Sequence, residues 1–388
     1  MNSLEYLLIN RTRPVFYDDY QNSLEHIADK VSSSRILVVG GAGSIGGTVV
    51  RMLFELAPKA LHVLDINENG LADLVRNLRN SSGYTTRDFQ TICYDLLHPS
   101  ANRLFEAGRR YDVILNFAAI KHVRSEKDAF TLSRMFGVNV RLMHHLTQWA
   151  DMYDVGTLFS VSTDKAANPA NLMGASKRLM EMVGFAYGDG RFSSTRFANV
   201  AFSNGSLLKA FWSRLEHGHP ISAPSNIKRF FITHEEAAHL CLLAAFTAPK
   251  GTIAIPSAGG ELELTSFVDV AINVLASRGL KPSLCSTEEE ARATKPTANR
   301  WPCYFFESDT SGEKEFEEFI GESEQLVDTP FTEISLIGKF VKCDKKVLES
   351  IMSEDPITIP KEELISRIGR VVPAFVHVER HKNLDQRM

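Results

Sequence analysis

Over the first 200 residues, short apolar runs alternate with segments whose apolar positions recur every three or four residues. Arg35-Ile36-Leu37-Val38-Val39 is almost unbroken apolar sequence, as expected of a strand buried on both faces of a parallel sheet. Residues 60–64, 89–94, 112–119, 156–161 and 193–198 read the same way. Between them, helical spacing predicts helices ending at Leu56, over 68–78, over 101–108, and over 127–150 with Phe136, Val140, Met143, Leu146 and Trp149 inward. Such alternation predicts an α/β fold: a Rossmann-type doubly wound parallel sheet.

Both ends depart from this rhythm. In the first 34 residues, Leu4, Leu7 and Leu8 fit one helical face, and 23–31 reads as a helix with Leu24, Ile27 and Ala28 inward. Past residue 200 the units are shorter: a turn at Asn204-Gly205-Ser206, a helix over 207–215, a strand at 220–222, and residues 228–233 leading into an apolar helix over 235–248. A strand at 252–256 follows, then a helix over 267–275 capped by Thr265-Ser266, with Asp269 completing a capping box. Residues 281–300 read as a solvated surface segment, 313–319 as the start of a charged amphipathic helix, and the end of the chain as frayed. The expected division is an N-terminal helical arm (1–34) and a dinucleotide-binding domain (35–200, with a contribution from 229–256). A smaller, discontinuous C-terminal substrate-binding domain (201–228 and 257–330) and a C-terminal extension (331–388) complete it.

Composition narrows the class. With 388 residues, 44% of them hydrophobic, the chain supports about two domains of roughly 150–200 residues each. A net charge of −4 gives no basic footprint for nucleic acid. Five scattered cysteines without a CxxC pair, and histidine pairs without accompanying ligands, indicate neither a disulfide framework nor a metal site. The first ten residues lack the pattern of a signal peptide. No apolar run nears the roughly 18 residues of a membrane helix. A soluble, cytoplasmic protein is expected.

The candidate chemistry sits at strand ends. Gly40-Gly41-Ala42-Gly43-Ser44-Ile45-Gly46 follows the first strand and opens a helix, the context in which a glycine-rich loop binds a dinucleotide pyrophosphate. Asp65, ending the second strand, stands where a carboxylate accepts the adenosine ribose and repels a 2′-phosphate, favouring NAD over NADP. Its alternative is a cap for the helix over 68–78. Asp95-Leu96 and Asn116-Phe117-Ala118-Ala119 lie at later strand ends, the alanines leaving room for a cofactor. Lys121-His122-Val123 follows at the same mouth, where His122 alone reads as structural.

Most distinctive is Phe159-Ser160-Val161-Ser162-Thr163-Asp164-Lys165, then Asn168-Pro169 and Met173-Gly174-Ala175-Ser176-Lys177. It reads as a buried strand, a polar turn and a helix on which Met173 and Lys177 share a face. The alternative for Asp164-Lys165 is a surface ion pair.

With Asn139-Val140, Thr195-Arg196-Phe197, Asn199-Val200, Arg229-Phe230-Phe231, Gly312-Glu313-Lys314 and Glu317-Glu318, these motifs cover roughly residues 35–320. The chain resembles the extended short-chain dehydrogenases/reductases, and more narrowly the UDP-N-acetylglucosamine 4,6-dehydratases of capsule, O-antigen and protein-glycan synthesis. Three departures stand out. Met173 replaces the tyrosine of most of the superfamily, as in one branch of these dehydratases. Residues 124–136 run about two longer than the family pattern, and Thr310-Ser311 stands where Arg-Pro is usual.

The resemblance implies a tightly held NAD, a nucleotide-sugar substrate and a homo-oligomer. It gives Asp164 as the acid for the leaving 6-hydroxyl, Lys165 as the base at C5 and Lys177 as a ribose ligand. Thr163, a water or Asp164 takes the 4-hydroxyl proton. Gly40, Gly43, Ser44, Ile45, Gly46, Asp65, Asp95, Leu96, Asn116, Ala118, Ala119 and Ser162 fall to the cofactor, and Lys121, Asn199 and Arg229 to the diphosphate or sugar. A 4-epimerase, a 5-inverting dehydratase and a silent NAD-binding assembly or regulatory protein are the alternatives.

Overall fold

The apolar runs pair as strands whose two faces feed two separate cores. The computed structural model describes residues 3–83, 86, 88–106, 109–257, 262–308, 317–339 and 344–378. In chain order the described strands are β1 (Arg35–Val39), β2 (Ala60–Asp65), β3 (Phe89–Cys93), β4 (Val113–Asn116), β5 (Thr157–Val161), β6 (Phe192–Thr195), β7 (Asn199–Val200), β8 (Ile221–Pro224), β9 (Lys228–Ile232), β10 (Ile253–Pro256), β11 (Leu264–Ser266), β12 (Lys281–Leu284), β13 (Arg300–Phe306), β14 (Gln325–Val327) and β15 (Ile334–Lys339). The main sheet runs β14-β15-β10-β6-β5-β4-β1-β2-β3. It is parallel from β3 to β10, and β15 and β14 add an antiparallel edge. Strand order reverses between β1 and β4, so a crevice opens beyond their carboxyl ends, where open α/β sheets bind ligands.

Period-two alternation divides β1 cleanly. Ile36 and Val38 join one core with the helices Tyr17–Ser32, Ser44–Glu55 and His234–Phe246, while Leu37 and Val39 join the other with Leu142–Met152 and Leu172–Tyr187. Two three-stranded sheets, β11-β9-β7 and β12-β13-β8, enclose a third cluster with the helices Leu207–Glu216 and Phe267–Ala276.

Several expectations need correction. Leu4 and Leu7 are exposed and Leu8 is buried, so the first helix, Ser3–Leu8, does not bury one leucine face. Residues 127–150 are not one helix. The helix Ala129–Phe136 passes into a π-helical turn, Gly137–Arg141, before Leu142–Met152. The surface segment at 281–300 carries β12 and the short helix Glu288–Ala293. Ser266 caps its helix through Asp269 N, but the reciprocal capping box is at Thr233 and Glu236. Glu317, Glu318 and Phe319 lie outside any helix. Residues 312–316 and the terminal run from 379 fall outside the described residues, as do Thr310 and Ser311.

The C-terminal extension is structured. Helices Lys345–Ser353 and Lys361–Val371 bury Leu348, Ile351, Leu364 and Ile368 in the second core. Tyr187 donates to Glu349 Oε1 at 3.1 Å, and Lys345 Nζ lies 4.7 Å above the Tyr187 ring. Among the described residues no helix is long and apolar enough to cross a membrane.

Candidate active site

A cavity of about 770 Å³ opens at the carboxyl end of the main sheet. The glycine loop, the turn after β5, the start of the helix Leu172–Tyr187, β7 and β9 all contribute to its wall.

Glycine is required in the loop by geometry. Gly40 has φ +76°, and a Cβ there would lie 2.5 Å from Ala118 N; one at Gly46 would lie 2.4 Å from Gly40 O. Gly43 starts the helix Ser44–Glu55 without a side-chain cap, so the cavity meets an uncapped helix N-terminus. Asp65 accepts from Ala42 N at 3.0 Å and from Asn67 N at 2.9 Å, tying β2 to the loop. The cap of the next helix is Asn67, not Asp65.

The turn after β5 concentrates polar groups. Thr163 Oγ1 donates to Asp164 Oδ1 at 2.6 Å, and Lys165 Nζ lies 3.3 Å from both Asp164 oxygens. The Asp164 side chain is 5% exposed and that of Lys165 38%. This is not an outward surface pair: both residues line the cavity with Met173 and Lys177. Lys177 Nζ donates to Val161 O at 2.6 Å, and burial brings its amine down to about 8. Gly174 lets the helix approach: a Cβ there would lie 2.4 Å from Lys165 O.

Other expected residues divide between wall and frame. Gly40, Gly43, Ser44, Ile45, Gly46, Ala119, Lys121, Ser162, Asn199 and Arg229 line the cavity. Asn116 is buried, donating to Ser160 Oγ at 3.0 Å and accepting from Ala118 N at 3.1 Å. Leu96 is buried in the second core, and Asp95 accepts from Arg134 at 2.9 Å. Ser162 Oγ donates to Glu181 at 2.6 Å. Burial lowers the Lys121 amine, which donates to Ser203 Oγ at 3.4 Å.

Sequence reasoning missed three groups. Glu317 enters the wall with its side chain 3% exposed, accepting from Asn199 Nδ2 at 2.7 Å and lying 3.5 Å from Arg229 Nε. Its signal was the Glu317-Glu318 pair, which counted among the motifs of the resemblance and in the start of an amphipathic helix but was given no role in the site. His377 and Glu126 also line the cavity and meet at 2.9 Å, and Glu126 accepts from Met173 N at 3.4 Å. Residues 376 and 378 are pinned there by N–H groups donating to Pro169 O and Ala170 O. No local pattern announces that pairing across 251 positions. Beneath the turn, buried Arg196 grips Glu181 and Glu324, and Arg178 pairs with both acids.

The polysaccharide biosynthesis protein family model matches residues 36–338. A relative named uncharacterized membrane protein MJ1061, from Methanocaldococcus jannaschii, is 33% identical over 66% of this chain and 77% of its own length. Probable polysaccharide biosynthesis protein EpsC of Bacillus subtilis is 28% identical over 88% of this chain, which spans 54% of that longer protein. A UDP-N-acetylglucosamine 4,6-dehydratase (inverting) of Campylobacter jejuni is 27% identical over 58% of this chain and 67% of its own. Among solved structures, Pen from Bacillus thuringiensis superposes with a TM-score of 0.64 at 21% identity, covering 79% of this chain and 89% of that one. DesIV, a dTDP-glucose 4,6-dehydratase from Streptomyces venezuelae solved with NAD and TYD, gives 0.56 at 19% identity, covering 74% and 88%. With the family model spanning most of its length, the chain belongs to the polysaccharide biosynthesis protein family, on the fold of the extended short-chain dehydrogenases/reductases.

Proposed function

We propose that the protein is an NAD-dependent nucleotide-sugar 4,6-dehydratase, acting on UDP-N-acetylglucosamine for surface-glycan or protein-glycan synthesis. The observation that carries this reading is the Asp164–Lys165 pair on the cavity wall, in register with Lys177. The named activity of the Campylobacter relative supports it.

The glycine loop fits a dinucleotide: Gly40 and Gly46 leave a cradle that a Cβ would fill, beside an uncapped helix N-terminus. Gly43, Ser44 and Ile45 would hold the pyrophosphate, and Lys177 the nicotinamide ribose. Asp65, hydrogen-bonded to the loop, favours NAD by repelling a 2′-phosphate. When bound, the cofactor supplies oxidation at C4 of the sugar and reduction at C6.

The chain's residues supply the proton transfers. Thr163, donating to Asp164 at 2.6 Å, relays the 4-hydroxyl proton to that carboxylate. The 4-ketone acidifies the C5 hydrogen, which neutral Lys165 removes. Asp164 then protonates the departing 6-hydroxyl, and water leaves. With Lys165 entering as the amine, the proton that Asp164 receives from the 4-hydroxyl is the one that leaves in water, and Lys165, 3.3 Å from Asp164, returns the proton it took to C5 as C6 is reduced. Asn199, Arg229 and Lys121 would hold the diphosphate; arginine's planar fork suits phosphate oxygens.

The test is product mass after incubation with UDP-N-acetylglucosamine. Loss of one water, with deuterium at C5 in heavy water, is the expected result. An unchanged mass with a new sugar identifies an epimerase. Bound NAD without turnover on a nucleotide-sugar panel identifies a silent binder.

A further inference from the structure

Glu317 occupies two of the three donors that the proposed function gives to the substrate. Its Oε1 accepts from Asn199 Nδ2 at 2.7 Å on β7 and lies 3.5 Å from Arg229 Nε on β9. Phe230 N approaches its other oxygen at 3.5 Å. From the turn after β5, Asp164 acts on it as a like charge and Lys165 as an opposite one. The neighbouring Glu318 is held away by Asn168 Nδ2 at 2.7 Å. Glu317 is thus a buried anion in a wall that must accept a second, stronger anion.

We propose that nucleotide diphosphate binding is coupled to the uptake of one proton by Glu317, which makes this residue the determinant of the pH at which substrate is accepted. The proposal rests on the reading that Arg229 and Asn199 take the diphosphate. As phosphate oxygens engage Arg229, the carboxylate loses its share of that guanidinium. It also gains a like charge in a wall already holding Asp164. Both changes drive a buried carboxyl to its neutral form. The proton comes from solvent and forms an O–H bond on Oε2, while Oε1 still accepts from Asn199. Burial already pushes the free carboxyl up to about 7, against the opposing pull of Arg229 and Lys165. Uptake near neutral pH is therefore a small step rather than a large one.

The sign follows by linkage. If the bound state holds more protons than the free state, affinity falls as pH rises through the free value, approaching about tenfold per pH unit above 7. Below about pH 6 the carboxyl is protonated in both states and adds no further pH dependence. Isothermal calorimetry with UDP, dTDP and GDP at pH 8, in two buffers of different ionisation enthalpy, counts the protons directly. Each free nucleotide is fully ionised there.

Wild-type protein is expected to take up close to one proton per nucleotide bound at pH 8. Glu317→Gln keeps the acceptor for Asn199 and is expected to bind with buffer-independent heat at pH 8 and a flat affinity profile between about pH 7.5 and 8.5, where the nucleotide phosphates are ionised. Wild-type binding without uptake overturns the proposal, as does equal uptake by the variant. The wild-type affinity profile between pH 6 and 9 stands as a check independent of the variant's folding. Failure of every nucleotide to bind overturns the diphosphate reading and this proposal together, an outcome distinct from binding without uptake.

Discussion

Glu324 and Glu317 lie seven positions apart, both buried, and meet opposite electrostatic fates. Burial alone pushes each carboxyl upward. At Glu324 that push is reversed by hydrogen bonds from Arg196 and by the charges of Arg196 and Arg178, which hold it below the ordinary glutamate range. Arg196 donates to it at 2.6 and 2.7 Å, and Gly321 N at 2.7 Å. Glu317 has Arg229 only at 3.5 Å and rises to about 7. Satisfied partners turn a buried charge into a fixed frame, whereas loose partners leave a group free to exchange protons where ligands arrive.

Breaking the frame should cost the most. Glu324→Ala leaves Arg196 and Arg178 short of a buried acid, and is expected to destabilise the fold by about 3–5 kcal/mol. Denaturant midpoints check this; a loss under about 1 kcal/mol would erase the contrast. A smaller effect is expected between the two regions. Gly174→Ala puts a Cβ 2.4 Å from Lys165 O, backbone that cannot easily yield, and should cost about 1–3 kcal/mol while displacing the turn that carries Asp164 and Lys165. If melting and turnover are both unchanged, the turn is not held by that contact.

Glu317→Gln should affect stability in the other direction and only with pH. A carboxyl raised on folding binds more protons folded than unfolded between about pH 4.5 and 7. Its favourable contribution is present below pH 4.5 and is lost as pH rises through 7. The variant lacks this term, so its melting temperature should gain on wild type between pH 5 and 8. A constant difference would place the titration elsewhere. Lys165→Ala should move stability least, by about 0–1 kcal/mol, because the lysine end of its ion pair is 38% exposed. Turnover should nonetheless fall by about 10²–10⁴. Retained turnover would remove Lys165 from the chemistry.

What the sequence discloses follows the range of the interactions involved. The strands from residue 35 to 198 and the glycine loop are written in local periodicity and in backbone needs that only glycine meets. The turn from Ser162 to Lys177 was legible because strand, polar cluster and helix are contiguous. Glu317 was not, since its partners Asn199 and Arg229 are 118 and 88 positions away in sequence and no local pattern encodes such a meeting. Leu4 and Leu7 fit a helical face, but a helix of six residues packed through Tyr6 and Leu8 leaves them in solvent. The extension carrying His377 shows ordinary amphipathic helices; which surface they cover is a tertiary fact.

The π-helical turn at Gly137–Arg141 gives the cavity one of its internal ties. Asn139 projects from it to accept from Ile120 N at 2.9 Å and to donate to Ile120 O at 3.0 Å and Ser176 Oγ at 2.8 Å. Such a turn reaches back five residues where an α-helix reaches four. Deleting one residue here would restore ordinary winding with the helices on either side still in phase, since a π turn takes up one residue more than an α turn. What would be lost is the bulge that carries Asn139, and with it the tie between the loop that bears Lys121 and the helix that bears Lys177. The extra residue acts as a clasp: remove it, and two sides of the cavity come unfastened.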